Sequence, residues 1–290
     1  MKTYSASLLA DTKCILGEGI QWNTRTARVY WTDIFGDALW SCDENGKDLK
    51  KRALPTGLCA FAFTDQRVLA AFTDGLYWLD LDTTERELIK AYQPESSTSR
   101  MNDGGLDRQG RFLVGGIDED DMKPTTPVWS VSPDGIATVI ERVGCANSIV
   151  FSPDGRTMYF ADTASTPIFA FDYNPDTGQL SNKRLFVDSQ IGKPDGSTVD
   201  AAGALWNTRF GGGCAQRFLP NGTEDSRVAL PVPNVTCCCL GGQQMDRLFI
   251  TTARLAMTED ELAATPSAGG LFYCDLPVSG LEHGTYRTSK

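Results

Sequence analysis

At 290 residues and a formal net charge of −10, the chain is acidic and has no Lys/Arg cluster, which argues against binding a nucleic-acid backbone. Apolar residues make up 41% and charged residues 22%, the balance of a globular protein with a sizeable core, and no apolar run approaches the roughly 18–20 residues that span a bilayer. Nine cysteines, odd in number, with Cys237-Cys238-Cys239 consecutive and no Cys-x-x-Cys pair, read as reduced thiols of a cytoplasmic protein rather than a disulfide framework or zinc ribbon.

In chain order the sequence repeats itself. Met1–Asp11 has one Lys and too short an apolar stretch for a signal peptide. Leu16-Gly17-Glu18-Gly19-Ile20-Gln21-Trp22 then sets a glycine-flanked carboxylate at the head of an apolar strand. About ten residues after Glu18, behind the turn Asn23-Thr24-Arg25, a second strand opens at Arg28-Val29-Tyr30-Trp31. Equivalent strands open at Arg67, Arg111, Thr157, Ala204 and Arg247, roughly 45 residues apart and each behind a polar turn. Most units add a later strand with its own turn, as in Leu39–Gly46 and Val128–Gly135. Short strands with Gly/Pro/Asn/Asp punctuation predict hairpins rather than βαβ units. The expectation is an all-β fold, a six-bladed β-propeller of four-stranded antiparallel blades, forming a single domain over residues 1–290. Residues 4–11 are expected to pair with the last blade and close the ring, and Thr258–Ala264, opening on a Thr-x-x-Glu capping box, to form a short helix inserted in blade six.

In a propeller the first strand of each blade lines the central channel. Eight to ten positions before each second strand stand Glu18, Cys59, Asn102, Asn147, Asp195 and the Cys237–Cys239 run. Two carboxylates and two carboxamides in one register are the ingredients of a divalent-cation site built from oxygen. Asn102-Asp103-Gly104 and Pro194-Asp195-Gly196 also read as hairpin turns. Register separates the cases: Asp154 of Ser152-Pro153-Asp154-Gly155 falls three residues before its strand, in the turn, whereas Asp195 falls nine before, in the channel. The acidic run Asp118–Asp121 reads by itself as a solvated loop, and cysteines at channel positions as small core residues. The one histidine, His283, lies far from these positions, and no Gly-x-Ser-x-Gly, His-Glu-x-x-His or phosphate-binding glycine loop is present. A hydrolase built from this chain needs a metal and a carboxylate.

The motifs Leu16-Gly17-Glu18-Gly19, Arg100-Met101-Asn102-Asp103-Gly104, Asn147–Gly155, Phe160-Ala161-Asp162-Thr163, Pro194–Asp200 and Pro233–Cys237 together make the whole chain resemble the SMP-30/gluconolactonase family, which includes regucalcin and bacterial sugar-acid lactonases. The resemblance implies one catalytic divalent cation (Ca, Mg, Mn, Zn or Fe) held by Glu18, Asn147 and Asp195, with Asp195 also the catalytic base. Arg100 and Asn102 match the family's substrate-binding pair. Gap-free counting places its substrate-contacting acid on Asp120, with Glu119 the alternative, because the usual lead-in is replaced by Gly115-Gly116-Ile117. Ile20 and Met101 stand where the family usually has proline. The expected activity is hydrolysis of a sugar lactone to the free aldonic acid in carbohydrate catabolism, with a small-molecule partner and neither nucleic acid nor membrane. The alternatives are a metal-dependent esterase or organophosphatase on the same scaffold and a non-catalytic calcium-binding propeller.

Overall fold

The computed structural model describes residues 1–93, 96–282 and 284–288; His283 lies outside the described residues. The chain is all-β, a six-bladed propeller of four-stranded antiparallel blades. It divides into two compact units, Met1–Gly57 with Ser189–His283, and Leu58–Asp188 with Gly284–Lys290.

The first unit holds blades one, five and six. Blade one runs Gly17–Asn23, Arg28–Asp33, Ala38–Asp43, Lys50–Ala53. Blade five runs Lys193–Val199, Leu205–Phe210, Cys214–Phe218, Glu224–Ala229. Blade six takes Val235–Gly241, Arg247–Thr252 and Leu271–Asp275, and Ser7–Ala10 pairs antiparallel on the last of these to supply the fourth strand. The N-terminal segment thus completes blade six, but not along its whole length. Lys2–Ser5, including Tyr4 and Ser5, instead runs parallel to Glu224–Ala229 and adds a fifth strand to blade five. Each of those outer strands would otherwise leave a row of unpaired backbone groups, and one segment covers both edges. The helix Glu259–Ala264 sits between two strands of blade six, with Thr258 and Glu261 forming the reciprocal capping box.

The second unit holds blades two, three and four. Their first strands are Leu58–Phe63, Ser99–Leu106 and Ala146–Phe151. Both Ser-Pro-Asp-Gly sequences are turns: Asp154 takes the Ser152 hydroxyl at 2.6 Å and the Arg156 N–H at 3.0 Å.

Blades pack face to face, so their inner strands are buried on both sides and read as near-continuous apolar runs. The cysteine run shows this most directly. Cys238 packs with Trp206, Val228 and Leu248, whereas Cys237 and Cys239 pack on the other face with Ile20, Trp22 and Phe249. A β-strand sends successive side chains to opposite faces, and both faces here press on a neighbouring blade where small residues fit. In the second unit Leu113, Ala146, Ile149, Phe151 and Phe160 form the corresponding seam between blades three and four.

One irregularity recurs in all six blades. The pairing of first and second strand slips between Glu18 and Gln21, Leu58 and Ala60, Met101 and Gly104, Asn147 and Val150, Pro194 and Ser197, and Val235 and Cys238. A bulge re-aims side chains and releases main-chain groups from the ladder. It falls where the sequence register places Glu18, Cys59, Asn102, Asn147, Asp195 and Cys237.

Candidate metal and substrate site

In the first unit, Glu18 and Asp195 are buried acids, 9% and 6% exposed. Gly19 follows Glu18 with φ of 54°, a conformation glycine adopts without steric cost, and its N–H donates to Glu18 Oε2 at 3.2 Å. The entry to the strand is pinned by Asp33, at the end of blade one's second strand: Ile15 N–H and Leu16 N–H donate to its two carboxylate oxygens at 3.1 and 3.0 Å.

Blade five solves the same problem with the opposite polarity. The fully buried Arg209 guanidinium donates to the carbonyls of Ser189, Ile191 and Gly192, which lead into the strand bearing Asp195. A fourth bond, 2.8 Å to Asn207 Oδ1, orients that carboxamide, whose Nδ2 then reaches the Asp195 carbonyl at 2.9 Å and Ser197 Oγ at 3.0 Å. The Thr208 hydroxyl lies 2.8 Å from Gly196 O and 2.6 Å from Thr236 O, while the Thr236 hydroxyl donates to Gly17 O and lies 3.0 Å from the Thr251 hydroxyl. The backbone beside Asp195 is therefore linked, through blade six, to the backbone beside Glu18. Asn207, Thr208, Arg209 and Thr236 were not singled out from sequence. Their only signal there is polarity inside strands that are otherwise apolar.

In the second unit, Asn147 is 3% exposed. Its Nδ2 donates to Thr163 Oγ1 at 2.7 Å and approaches Cys145 Sγ at 3.6 Å, but its buried Oδ1 has no hydrogen-bond partner among the described residues. A buried acceptor left unsatisfied costs about 1–3 kcal/mol, and a bound cation satisfies a carboxamide oxygen. Asp162 pins this strand's entry as Asp33 does in blade one, taking Gly144 N–H and Cys145 N–H at 3.0 and 2.9 Å. Two residues before both Glu18 and Asn147, the backbone is thus held by an aspartate from the neighbouring strand.

Arg100 and Asn102 meet in blade three. Arg100 is buried; it donates to Met101 O and Asn102 Oδ1, each at 2.9 Å, and pairs with Glu119 at 2.7 Å. Asn102 Nδ2 donates across to Ala146 O in blade four at 3.0 Å. Asp120 lies exposed in the turn after Glu119, so the acid that touches Arg100 is Glu119. Asp103 sits inside the strand, not in a hairpin turn, and burial raises its carboxyl to about 6 against the pull of N–H donors from Ile149, Gly104 and Ser148.

Chemically, these residues offer oxygen ligands and hydrogen-bonding groups, with no exposed thiol: all nine cysteines are buried and outside any disulfide, and burial drives the Cys238 thiol well above its ordinary range. Among the described residues no three His, Cys, Asp or Glu side chains gather as a metal set. The candidate set has two acids and a carboxamide, and Asn147 Oδ1 fits that role. Among the described residues no helix is long and apolar enough to cross a membrane.

A family profile for the SMP-30/Gluconolactonase/LRE-like region matches residues 16–254. The L-arabinolactonase of Azospirillum brasilense is 39% identical over 285 residues, covering 95% of this chain and 93% of its own. The pentonolactonase of Haloferax volcanii is 33% identical, covering 94% of each. Among solved structures, a calcium-binding protein, regucalcin, from Agrobacterium tumefaciens superposes with a TM-score of 0.94 at 27% identity over 99% of both chains.

Proposed function

The chain belongs to the SMP-30/gluconolactonase/LRE-like family, and from that premise we propose that it is a lactonase, hydrolysing a sugar lactone to the free aldonic acid. The whole-length likeness to an L-arabinolactonase and a pentonolactonase carries this reading and favours a five-carbon aldonolactone as substrate. In the reaction, water adds to the lactone carbonyl, the ring C–O bond breaks, and the ring oxygen leaves as the sugar-acid hydroxyl after gaining a proton.

Glu18, Asn147 and Asp195 would hold one divalent cation, within a single functional domain of residues 1–290. The observation that supports this is the buried, unpartnered Asn147 Oδ1, in the same bulge register as the two acids. When bound, such a cation supplies Lewis acidity at the carbonyl and lowers the pKa of water. Asp195 takes the proton from the attacking water. Arg100 and Asn102 hold sugar hydroxyls, their own mutual bond keeping both side chains in place before substrate arrives. Asp120 remains a candidate contact from its exposed turn, and Glu119, already on Arg100, is the better placed of the two for a hydroxyl beside that guanidinium. Calcium heads the cation candidates because the regucalcin relative is described as calcium-binding; Mg, Mn, Zn and Fe accept the same oxygens. The uniformly buried thiols, none of them in a disulfide, support a cytoplasmic setting.

The test is pH-stat hydrolysis of five- and six-carbon aldonolactones by chelator-treated protein, with each metal added back singly. Turnover that returns with metal and is fastest on a pentonolactone is the expected result. No turnover above spontaneous hydrolysis with any metal overturns the lactonase reading, and turnover indifferent to chelation overturns the metal reading.

A further inference from the structure

Asn147 is gripped on both sides by blade three. On the preceding side, Asn102 Nδ2 donates to Ala146 O at 3.0 Å. On the following side, Ile149 N–H donates to Asp103 Oδ2 at 3.2 Å, and the Ser148 N–H points to the same carboxylate. This close approach requires Gly105: a Cβ there would meet Ile149 O at 2.1 Å. Between the two grips stands Ser148, with φ of 55°. The corresponding residue of blade one, following Glu18, is Gly19 at 54°, where that conformation is unstrained. For serine it is strained and persists only where surrounding contacts enforce it. The bulge at Asn147 also removes this backbone from pairing with its own second strand until Val150, so its N–H groups need another acceptor. Asp103 supplies one.

We propose that Asp103 is a positioning residue for the cation site: its carboxylate holds the left-handed bulge at Ser148 and so aims the Asn147 carboxamide oxygen at the metal. The inference rests on the proposed metal reading. Asp103 touches neither the cation nor the substrate in this role; it acts through the backbone on which Asn147 is carried.

The experiment is calorimetric titration of chelator-treated protein with Ca²⁺ or Mn²⁺, whichever wild type binds more tightly, alongside thermal melting. Asp103→Leu keeps the branched shape but removes the acceptor. It should weaken metal binding about 10- to 100-fold, the range typical when a residue that orients a metal ligand is lost. Adding Ser148→Gly should recover a substantial part of that affinity, because glycine takes the positive φ unaided; a defect in packing alone would not respond to it. Asp103→Asn, which retains one acceptor oxygen and folds more readily, should fall between wild type and the leucine variant. Unchanged affinity in Asp103→Asn and Asp103→Leu, or a loss that Ser148→Gly fails to relieve, overturns the positioning role. Asn147→Leu, run in parallel, keeps the two readings apart. If it abolishes binding while the Asp103 variants bind normally, only the Asp103 inference falls; if it binds normally, the metal assignment itself falls.

Discussion

Replacing Asp195 by asparagine separates base catalysis from metal binding. The substitution keeps a ligating oxygen and nearly the same shape, but asparagine cannot take a proton from water. The fold around it has little reason to respond: Asn207 grips the Asp195 main-chain carbonyl, which both residues share, and Thr208 grips Gly196 O. The melting temperature of the metal-free protein should therefore fall by no more than about 2 °C, under roughly 1 kcal/mol for a chain of this size. Turnover should fall by the 10²–10⁴-fold characteristic of a lost general base, or about 2.7–5.4 kcal/mol of barrier. The assay is kcat at saturating lactone and saturating metal, with bound metal quantified in the same sample. Full occupancy with kcat still depressed is the expected outcome. Recovery to near wild-type kcat once metal saturates the variant would refute the reasoning, make Asp195 a ligand only, and move the base role to another group, with Glu18 first in line.

Three further outcomes are expected. Glu18→Gln removes one anionic ligand and should weaken metal binding by at least about tenfold, roughly 1.4 kcal/mol, in calorimetry on chelator-treated protein; unchanged affinity removes Glu18 from the ligand set. Cys238→Ser should leave kcat within about tenfold of wild type, since the thiol is fully packed and protonated; a loss of several thousandfold with the fold intact would mean covalent catalysis. Thr208→Val withdraws a hydroxyl from between Gly196 O and Thr236 O and should cost about 1–3 kcal/mol, lowering the melting temperature by roughly 2–6 °C; an unchanged melting curve would show that the hydroxyl relay of blades five, six and one contributes nothing to stability.

The propeller was legible because its signals are local. A polar turn before each second strand recurs with a fixed period, and that period also separates Asp195, in a strand, from Asp154, in a turn. The register put Glu18, Asn102, Asn147 and Asp195 at equivalent positions of their repeats, and in the structure the strand pairing slips at each of them, a bulge that the sequence pattern did not announce. Other features depend on partners distant in sequence. Nothing in Tyr4-Ser5 distinguishes an antiparallel edge on blade six from a parallel edge on blade five. Asn-Asp-Gly at 102–104 is a strong turn signal, and only the packed blade four reveals that the strand runs through it. Arg209 reads as a surface residue until its carbonyl partners at Ser189, Ile191 and Gly192 are seen around it. At Glu119 and Asp120, a single step along a turn decides which acid meets Arg100, a distinction below the resolution of any periodic pattern.

The N-terminal segment ties the timing of assembly to the length of the chain. Ser7–Ala10 leaves the ribosome early, yet its partner is Leu271–Asp275. At about 5–20 residues per second, that strand must wait tens of seconds before its sheet can exist, while blades one to four can already form around neighbours in sequence. Blade six is the last sheet finished and depends on the most distant pairing, so its edge is the surface a nascent chain leaves open longest. Deleting Lys2–Ala10 should therefore do little to the earlier blades. It should leave finished protein prone to pairing blade six with a second molecule, strand against strand.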